Sequence, residues 1–179
     1  KLDSKVPLIQ EIATHLILSG GKRLRPLLTS CCFEMCKNQF NNYSNKHIGL
    51  AAAVEFIHAA TLLHDDVVDE SKNRRGSLTA NEVWGNKTSV LVGDFLFSRA
   101  FQLMAKYGNI PILKLLSNTS VIISEGEMLE LINDKDPTIN EDIYFEVING
   151  KTASLFSASC QVGAMSTTTN QEKIDALKS

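Results

Sequence analysis

Apolar residues recur at three- and four-residue steps along almost the whole chain, a repeat that admits helices and leaves little room for a sheet. Between Val6 and Leu18 it puts Leu8, Ile9, Ile12 and Leu16 on one face, and the Gly20-Gly21 pair stops that helix. Pro26 suits the first turn of a second helix, running through Leu27, Leu28 and Phe33 to about Cys36. An Asn-rich linker, Asn38 to Asn45, precedes a long helix from about Lys46 to Asp69. Asn73 to Gly76 break the pattern, and a short helix from about Thr79 to Trp84 follows. Thr88–Lys106 and Ile110–Ile132 read as two more helices, the second with Pro111 inside its first turn. Asp134-Lys135-Asp136-Pro137 reads as a loop, followed by helices near Asn140–Ser159 and from Asn170 onward. Alternating segments joined by Asn-Gly turns are missing. The expectation is an all-α protein with long helices and one core, residues 1–179 forming a single domain without internal repeats.

Composition narrows the function classes. A chain of 179 residues can bury one sizeable core but not comfortably two. The net charge of −2 offers no global basic field for nucleic acid or anionic lipid, so affinity for anions must come from local clusters. Of the four cysteines, Cys31, Cys32 and Cys36 crowd one apolar stretch, and only Cys160 lies elsewhere. Two short ligand pairs, as a structural zinc site needs, are absent, which points to buried free thiols in a reducing cytosol. No apolar run reaches the roughly 18–20 residues of a membrane span. The chain opens at Lys1 without Met or a signal-peptide pattern, and a cytoplasmic location is expected.

Three polar clusters interrupt the apolar helices. The first is Gly20-Gly21-Lys22-Arg23-Leu24-Arg25-Pro26. Its glycines open the backbone to close approach, and Lys22 and Arg25 face one side if the turn is helical. Arginine forks onto phosphate oxygens and lysine acts as a point charge; a solvated basic turn is the plainer reading. The second is His64-Asp65-Asp66-Val67-Val68-Asp69. On a helix, Asp65 and Asp69 stand one turn apart on a shared face, with Asp66 about 100° around. Acids at a C-terminal helix end oppose the helix dipole and repel one another unless a cation compensates. Magnesium, which keeps several waters, suits two such carboxylates and a substrate phosphate. The third is Arg74-Arg75-Gly76, whose adjacent arginines point different ways and can serve separate anions. Alone it reads as a surface loop. In this order the three describe a pocket that balances diphosphate charge with metal and arginine.

On these residues the chain resembles the trans-isoprenyl (polyprenyl) diphosphate synthases. The family signatures appear as Gly21-Lys22-Arg23-Leu24-Arg25-Pro26, Leu63-His64-Asp65-Asp66-Val67-Val68-Asp69 and Arg74-Arg75-Gly76. Val92-Gly93-Asp94-Phe95-Leu96, Glu125-Gly126-Glu127 and Lys151-Thr152 match as well. The likeness runs over essentially the whole chain and looks nearest to bacterial long-chain members such as the octaprenyl diphosphate synthases. It implies the N-terminal portion of an isoprenoid-synthase-type helical bundle around a central cavity, assembling as a homodimer. It also implies roles: Lys22, Arg25, His58 and Arg75 would bind the diphosphate of isopentenyl diphosphate. Asp65 and Asp69 would hold Mg²⁺ bridging to an allylic diphosphate such as farnesyl diphosphate, with Asp66 in support. Arg74, Lys151 and Thr152 would contact the allylic diphosphate directly. His58 alone would pass for a core histidine, but it lies seven residues before Asp65, two turns up the same face. Asp94 and Glu127 receive no role from the spacing.

The implied reaction is a head-to-tail prenyl transfer. The leaving diphosphate is neutralised, the allylic C–O bond ionises, and the double bond of isopentenyl diphosphate attacks the cation before a proton is lost. Dry apolar walls keep water from the carbocation. If the product grows along the helix that ends in Asp65, Ala59, Ala60 and Thr61 form the floor one turn before it. All three are small, which favours a long, octaprenyl-like product of the kind used for a quinone side chain. Met128, Leu131 and Phe156 are candidates for the tunnel's end. Two departures stand out. No second aspartate-rich motif follows Thr152, so these residues alone would be inactive, and Glu130 stands where relatives tend to have Gln. A non-catalytic partner subunit of a heteromeric synthase is the chief alternative, although its aspartates would be expected to have degraded. A terpene cyclase of the same fold is disfavoured by the two basic clusters.

Overall fold

The computed structural model describes residues 4–38, 45–134 and 139–178. The interior of the expected Asn38–Asn45 linker, Lys135–Pro137 of the expected loop and the opening Lys1 lie outside the described residues. Helices dominate: α1 (Pro7–Leu18), α2 (Leu24–Cys36), α3 (Lys46–Val68), α4 (Ala80–Trp84), α5 (Asn86–Tyr107), α6 (Ile110–Asn133), α7 (Glu141–Ile148), α8 (Ser154–Met165) and α9 (Gln171–Ala176). Four of these starts follow local chemistry. Pro7 opens α1, where its missing N–H costs nothing. The side chains of Asn109, Asn140 and Asn170 cap α6, α7 and α9 by accepting from Ile112, Ile143 and Lys173 N–H.

The chain forms two compact units. One contains Glu55–Gln102 together with the first 23 residues. Its core joins Ile12, Ala13 and Leu16 of α1 to Ala59, Ala60 and Leu63 of α3, and to Val92 and Leu96 of α5. The other contains Leu24–Val54 and Leu103–Ser179. There α2 packs on α8: Thr29 Oγ1 donates to the Ser159 carbonyl at 3.0 Å, and a Cβ at Gly163 would overlap the Thr29 carbonyl oxygen. The Phe33 and His47 rings stack at 3.7 Å.

Four expectations are corrected. A two-stranded hairpin is present, β1 (Asn73–Arg74) pairing antiparallel with β2 (Ser77–Leu78). Its two-residue turn, Arg75-Gly76, has positive φ at both positions (53° and 82°), the pattern of a type I′ turn, with Arg75 standing where Asn or Asp is usual. The helix expected over Asn140–Ser159 is α7 and α8 separated by a π-helical turn, Asn149–Ala153. Asn149-Gly150 stands at that change of winding; Gly150 meets Gly126 of α6 at backbone distance there, a hypothetical Cβ on either coming within about 3 Å of the other's backbone. The cysteines are not uniformly buried: Cys31 is exposed, Cys32 buried, and Cys36 and Cys160 half-buried. Burial, then the Cys160 thiol beside it, pushes the Cys32 thiol up to about 12. Finally, α3 is long and apolar enough to cross a membrane by length and composition, because its few polar residues are scattered. Its Leu50, Val54, Ile57 and Leu63 are nonetheless buried against protein.

Candidate active site

The end of α3 organises the first unit's polar groups. Asp69 N–H donates to the Asp65 carbonyl at 2.8 Å, completing the last helical turn, so the two aspartates stand one turn apart on one face as expected. The helix closes in a Schellman motif: Ser71 N–H reaches the Asp66 carbonyl at 2.9 Å, Glu70 N–H reaches that of Val67, and Glu70 takes φ 50°. Asp69 is exposed and Asp65 half-buried. Asp66, 1% exposed, faces inward.

Asp66 has a partner that its spacing did not disclose. Arg74 donates from Nε to Oδ1 at 3.0 Å and to Oδ2 at 3.2 Å, and from Nη2 to Oδ1 at 2.7 Å. This charge-assisted fork ties the hairpin to α3. The expected direct use of Arg74 on an anion is thereby limited to donors outside the fork. The neighbouring Arg75 turns away and donates from Nη1 to the Gly20 carbonyl. The two arginines do diverge, and the second brings the Arg-Arg-Gly turn to the glycine turn that carries Lys22. Gly21 makes this contact possible: its φ is 130°, and a Cβ there would come 2.5 Å from Arg75 Nη1.

The basic turn is not helical, because Arg23 adopts φ 51° and α2 begins only at Leu24. The condition for Lys22 and Arg25 to share a helical face is therefore not met. Arg23, to which no role was attached, is a tether: it donates to Glu55 of α3 and to the Ile17 carbonyl. Lys22 is exposed. His58 is half-buried on α3, and its carbonyl accepts from Thr61 Oγ1 at 2.9 Å. Ala59 and Ala60 are 5% and 1% exposed within the packed core of the first unit. The Val92-Gly93-Asp94 match also finds a physical reason. A Cβ at Gly93 would overlap the His64 ring, and Asp94 Oδ1 stands 3.4 Å from His64 Nε2, which also faces the Val90 carbonyl at 3.2 Å.

In the second unit, Lys151 and Thr152 sit in the π-helical turn, a feature frequent at functional sites. Lys151 Nζ lies 2.9 Å from Glu127 Oε2 and also pairs with Glu130. Burial alone would lower the lysine's affinity for its proton, but hydrogen bonds and charge from Glu130 and Glu127 win and raise it above the ordinary lysine range. Glu127 and Glu130 thus acquire a shared partner. Gly126 allows it, since a Cβ there would come 2.7 Å from Lys151 N. Thr152 is exposed and borders two cavities, of about 1100 and 580 Å³. Phe156 lines the larger one and lies under the Arg25 guanidinium, 4.2 Å from ring centre to Cζ. Met128 and Leu131 are 58% and 55% exposed.

Among the described residues, no three His, Cys, Asp or Glu side chains gather as a ready-made metal cage. Asp65 and Asp69, one turn apart, offer two carboxylates of the kind that suits magnesium once substrate oxygens and water complete its shell. The Asp66–Arg74 fork agrees, because it commits the middle aspartate elsewhere.

The polyprenyl synthetase family model matches residues 6–179, and the chain belongs to that family. It is 47% identical over 161 residues to octaprenyl diphosphate synthase of Escherichia coli (strain K12), covering 90% of this chain and 49% of that protein. The fold matches the crystal structure of a decaprenyl diphosphate synthase from Rhodobacter capsulatus with a TM-score of 0.92 at 49% identity, over 99% of this chain and 54% of that one. It also matches a Caulobacter crescentus polyprenyl synthase complexed with calcium and isoprenyl diphosphate, with a TM-score of 0.94 at 46% identity, over 99% of this chain and 53% of that one. The all-α isoprenoid-synthase architecture is therefore that of its relatives, and the chain spans about half their length.

Proposed function

We propose that the protein is a long-chain trans-polyprenyl diphosphate synthase. It condenses isopentenyl diphosphate head-to-tail onto an allylic diphosphate such as farnesyl diphosphate and, as a cytoplasmic homodimer, makes an octaprenyl-like chain for a quinone. The observation that carries this reading is the grouping at the end of α3: paired Asp65 and Asp69, the Asp66–Arg74 fork beside them, and Arg75 bound to the turn that bears Lys22. Two carboxylates for a cation and two basic turns for anions suit substrates that each carry a diphosphate.

Asp65 and Asp69 would hold Mg²⁺, which supplies positive charge to the leaving diphosphate. Lys22, Arg25, His58 and Arg75 bind the isopentenyl diphosphate headgroup in this reading. Arg74, Lys151 and Thr152 hold the allylic one, Arg74 through donors outside its fork with Asp66. Asp66 keeps Arg74 in place, so its contribution to catalysis is positional. Ala59, Ala60 and Thr61 set chain length by leaving the growing chain unobstructed. The calcium and isoprenyl diphosphate in the Caulobacter relative's structure support a diphosphate site that works with a divalent cation. Incubation of the full-length protein with farnesyl and isopentenyl diphosphates and Mg²⁺, followed by sizing of the products, tests the reading. A ladder ending near octaprenyl length is expected. Failure to elongate without a second polypeptide would favour a partner subunit instead.

A further inference from the structure

Lys151 does not wait for its anion uncompensated. Glu127 and Glu130, three residues apart on one face of α6, both reach its ammonium, so the cluster carries one positive and two negative charges. The two arms are unequal. The Glu127 side chain is 27% exposed and lies next to Gly126, where α6 and the π-helical turn touch. That of Glu130 is 47% exposed and shares the wall of the 580 Å³ cavity with Lys151 and Thr152. An anion entering that cavity meets Glu130 together with the lysine. A bare diphosphate is repelled by the surplus carboxylate, whereas a diphosphate already loaded with a divalent cation brings the charge that Glu130 lacks.

We propose that Glu130 is a specificity-determining positioning residue: with Glu127 it holds Lys151 in a carboxylate clamp that admits metal-loaded diphosphate and turns away the metal-free form. The inference rests on the prenyl synthase reading above and adds to it a charge filter at Lys151. Inorganic diphosphate is the probe, titrated calorimetrically into the full-length protein in excess EDTA and again in excess Mg²⁺. Glu130→Gln keeps the shape and a hydrogen bond to Lys151 but removes one charge. Its metal-free affinity should rise about tenfold, the effect of one partly screened unit charge at close range, with much less change for the magnesium-loaded form. At saturating substrate the Mg²⁺ concentration giving half-maximal prenyl transfer should rise in parallel, because tighter metal-free binding weakens the bound diphosphate's hold on the metal. Glu130→Asp should restore discrimination.

Glu125→Gln removes a charge from an exposed position of the same helix that does not touch Lys151, and it should leave the discrimination unchanged. The filter is overturned if Glu130→Gln binds metal-free diphosphate no better than the wild type. It is overturned equally if Glu125→Gln improves binding as much, because general charge then accounts for the effect. Wild-type protein that neither binds magnesium-loaded diphosphate nor elongates removes the prenyl synthase reading, and the filter with it. Intact wild-type binding with an unresponsive Glu130→Gln removes the filter alone.

Discussion

Cutting the fork between Asp66 and Arg74 should have unequal consequences at its two ends. The carboxylate is 1% exposed and the Arg74 side chain 27% exposed, so only the arginine has water to fall back on. Removing one partner of a buried ion pair typically costs about 3–5 kcal/mol. Arg74→Ala strands the buried carboxylate and should cost about 4 kcal/mol, within that range. Asp66→Ala leaves a guanidinium that reaches solvent, which lowers the cost to about 2.5 kcal/mol. At roughly 2–4 °C per kcal/mol for a chain of this size, melting should fall by about 8–16 °C for Arg74→Ala and about 5–10 °C for Asp66→Ala. The double variant should lose clearly less than the sum, with a coupling of about 2 kcal/mol, since neither partner is then stranded. Thermal unfolding of the four proteins without metal measures this. Additive losses, or single variants within about 0.5 kcal/mol of the wild type, would refute the clamp. Magnesium titration adds a second check: Asp66→Ala should weaken metal binding far less than Asp65→Ala if the middle aspartate holds arginine rather than metal.

Two further substitutions probe packing and product length. Gly163→Ala pushes a Cβ into the Thr29 carbonyl and to 2.9 Å from Cys32 Cβ, so α2 and α8 must part. Its destabilisation, read by denaturant unfolding, should lie at or above the top of the usual range of about 1–3 kcal/mol for overpacking. Ala60→Phe should shorten the prenyl product on chromatography. Because Ala60 is 1% exposed in a packed core, the same variant should also lose about 1–3 kcal/mol of stability, so products are compared at a temperature where it stays folded. An unchanged product distribution would remove the chain-length role from Ala60.

Helix placement was open to a reader of the sequence because its signals are local. Pro7, the asparagine caps and the three- and four-residue apolar spacing act within a turn or two of where they stand. The hairpin escaped notice because its turn uses Arg75 where Asn or Asp is usual, and its strands are two residues each. Asn149-Gly150 marks the π-helical turn only as a local break, because the approach that it serves, Gly150 to Gly126, involves another helix. Among the polar residues, motif order was enough to single out Asp65, Asp69, Arg74 and Arg75 as candidates, and the family resemblance added Lys151. It could not pair them, since Asp66 with Arg74, Arg23 with Glu55, and Lys151 with Glu127 and Glu130 are contacts between elements. The pairing changes their meaning: Asp66 and Arg23 hold the architecture, and Lys151 is a compensated cation.

The central claim is that the paired carboxylates at the end of α3 make the full-length protein a metal-dependent prenyl transferase. Product sizing after incubation with farnesyl and isopentenyl diphosphates, with and without Mg²⁺, and repeated with Asp65→Ala, is its most direct test. The account predicts a long-chain ladder that needs both the metal and Asp65. A ladder that survives the loss of either, or none from the intact protein under any metal condition, would contradict it.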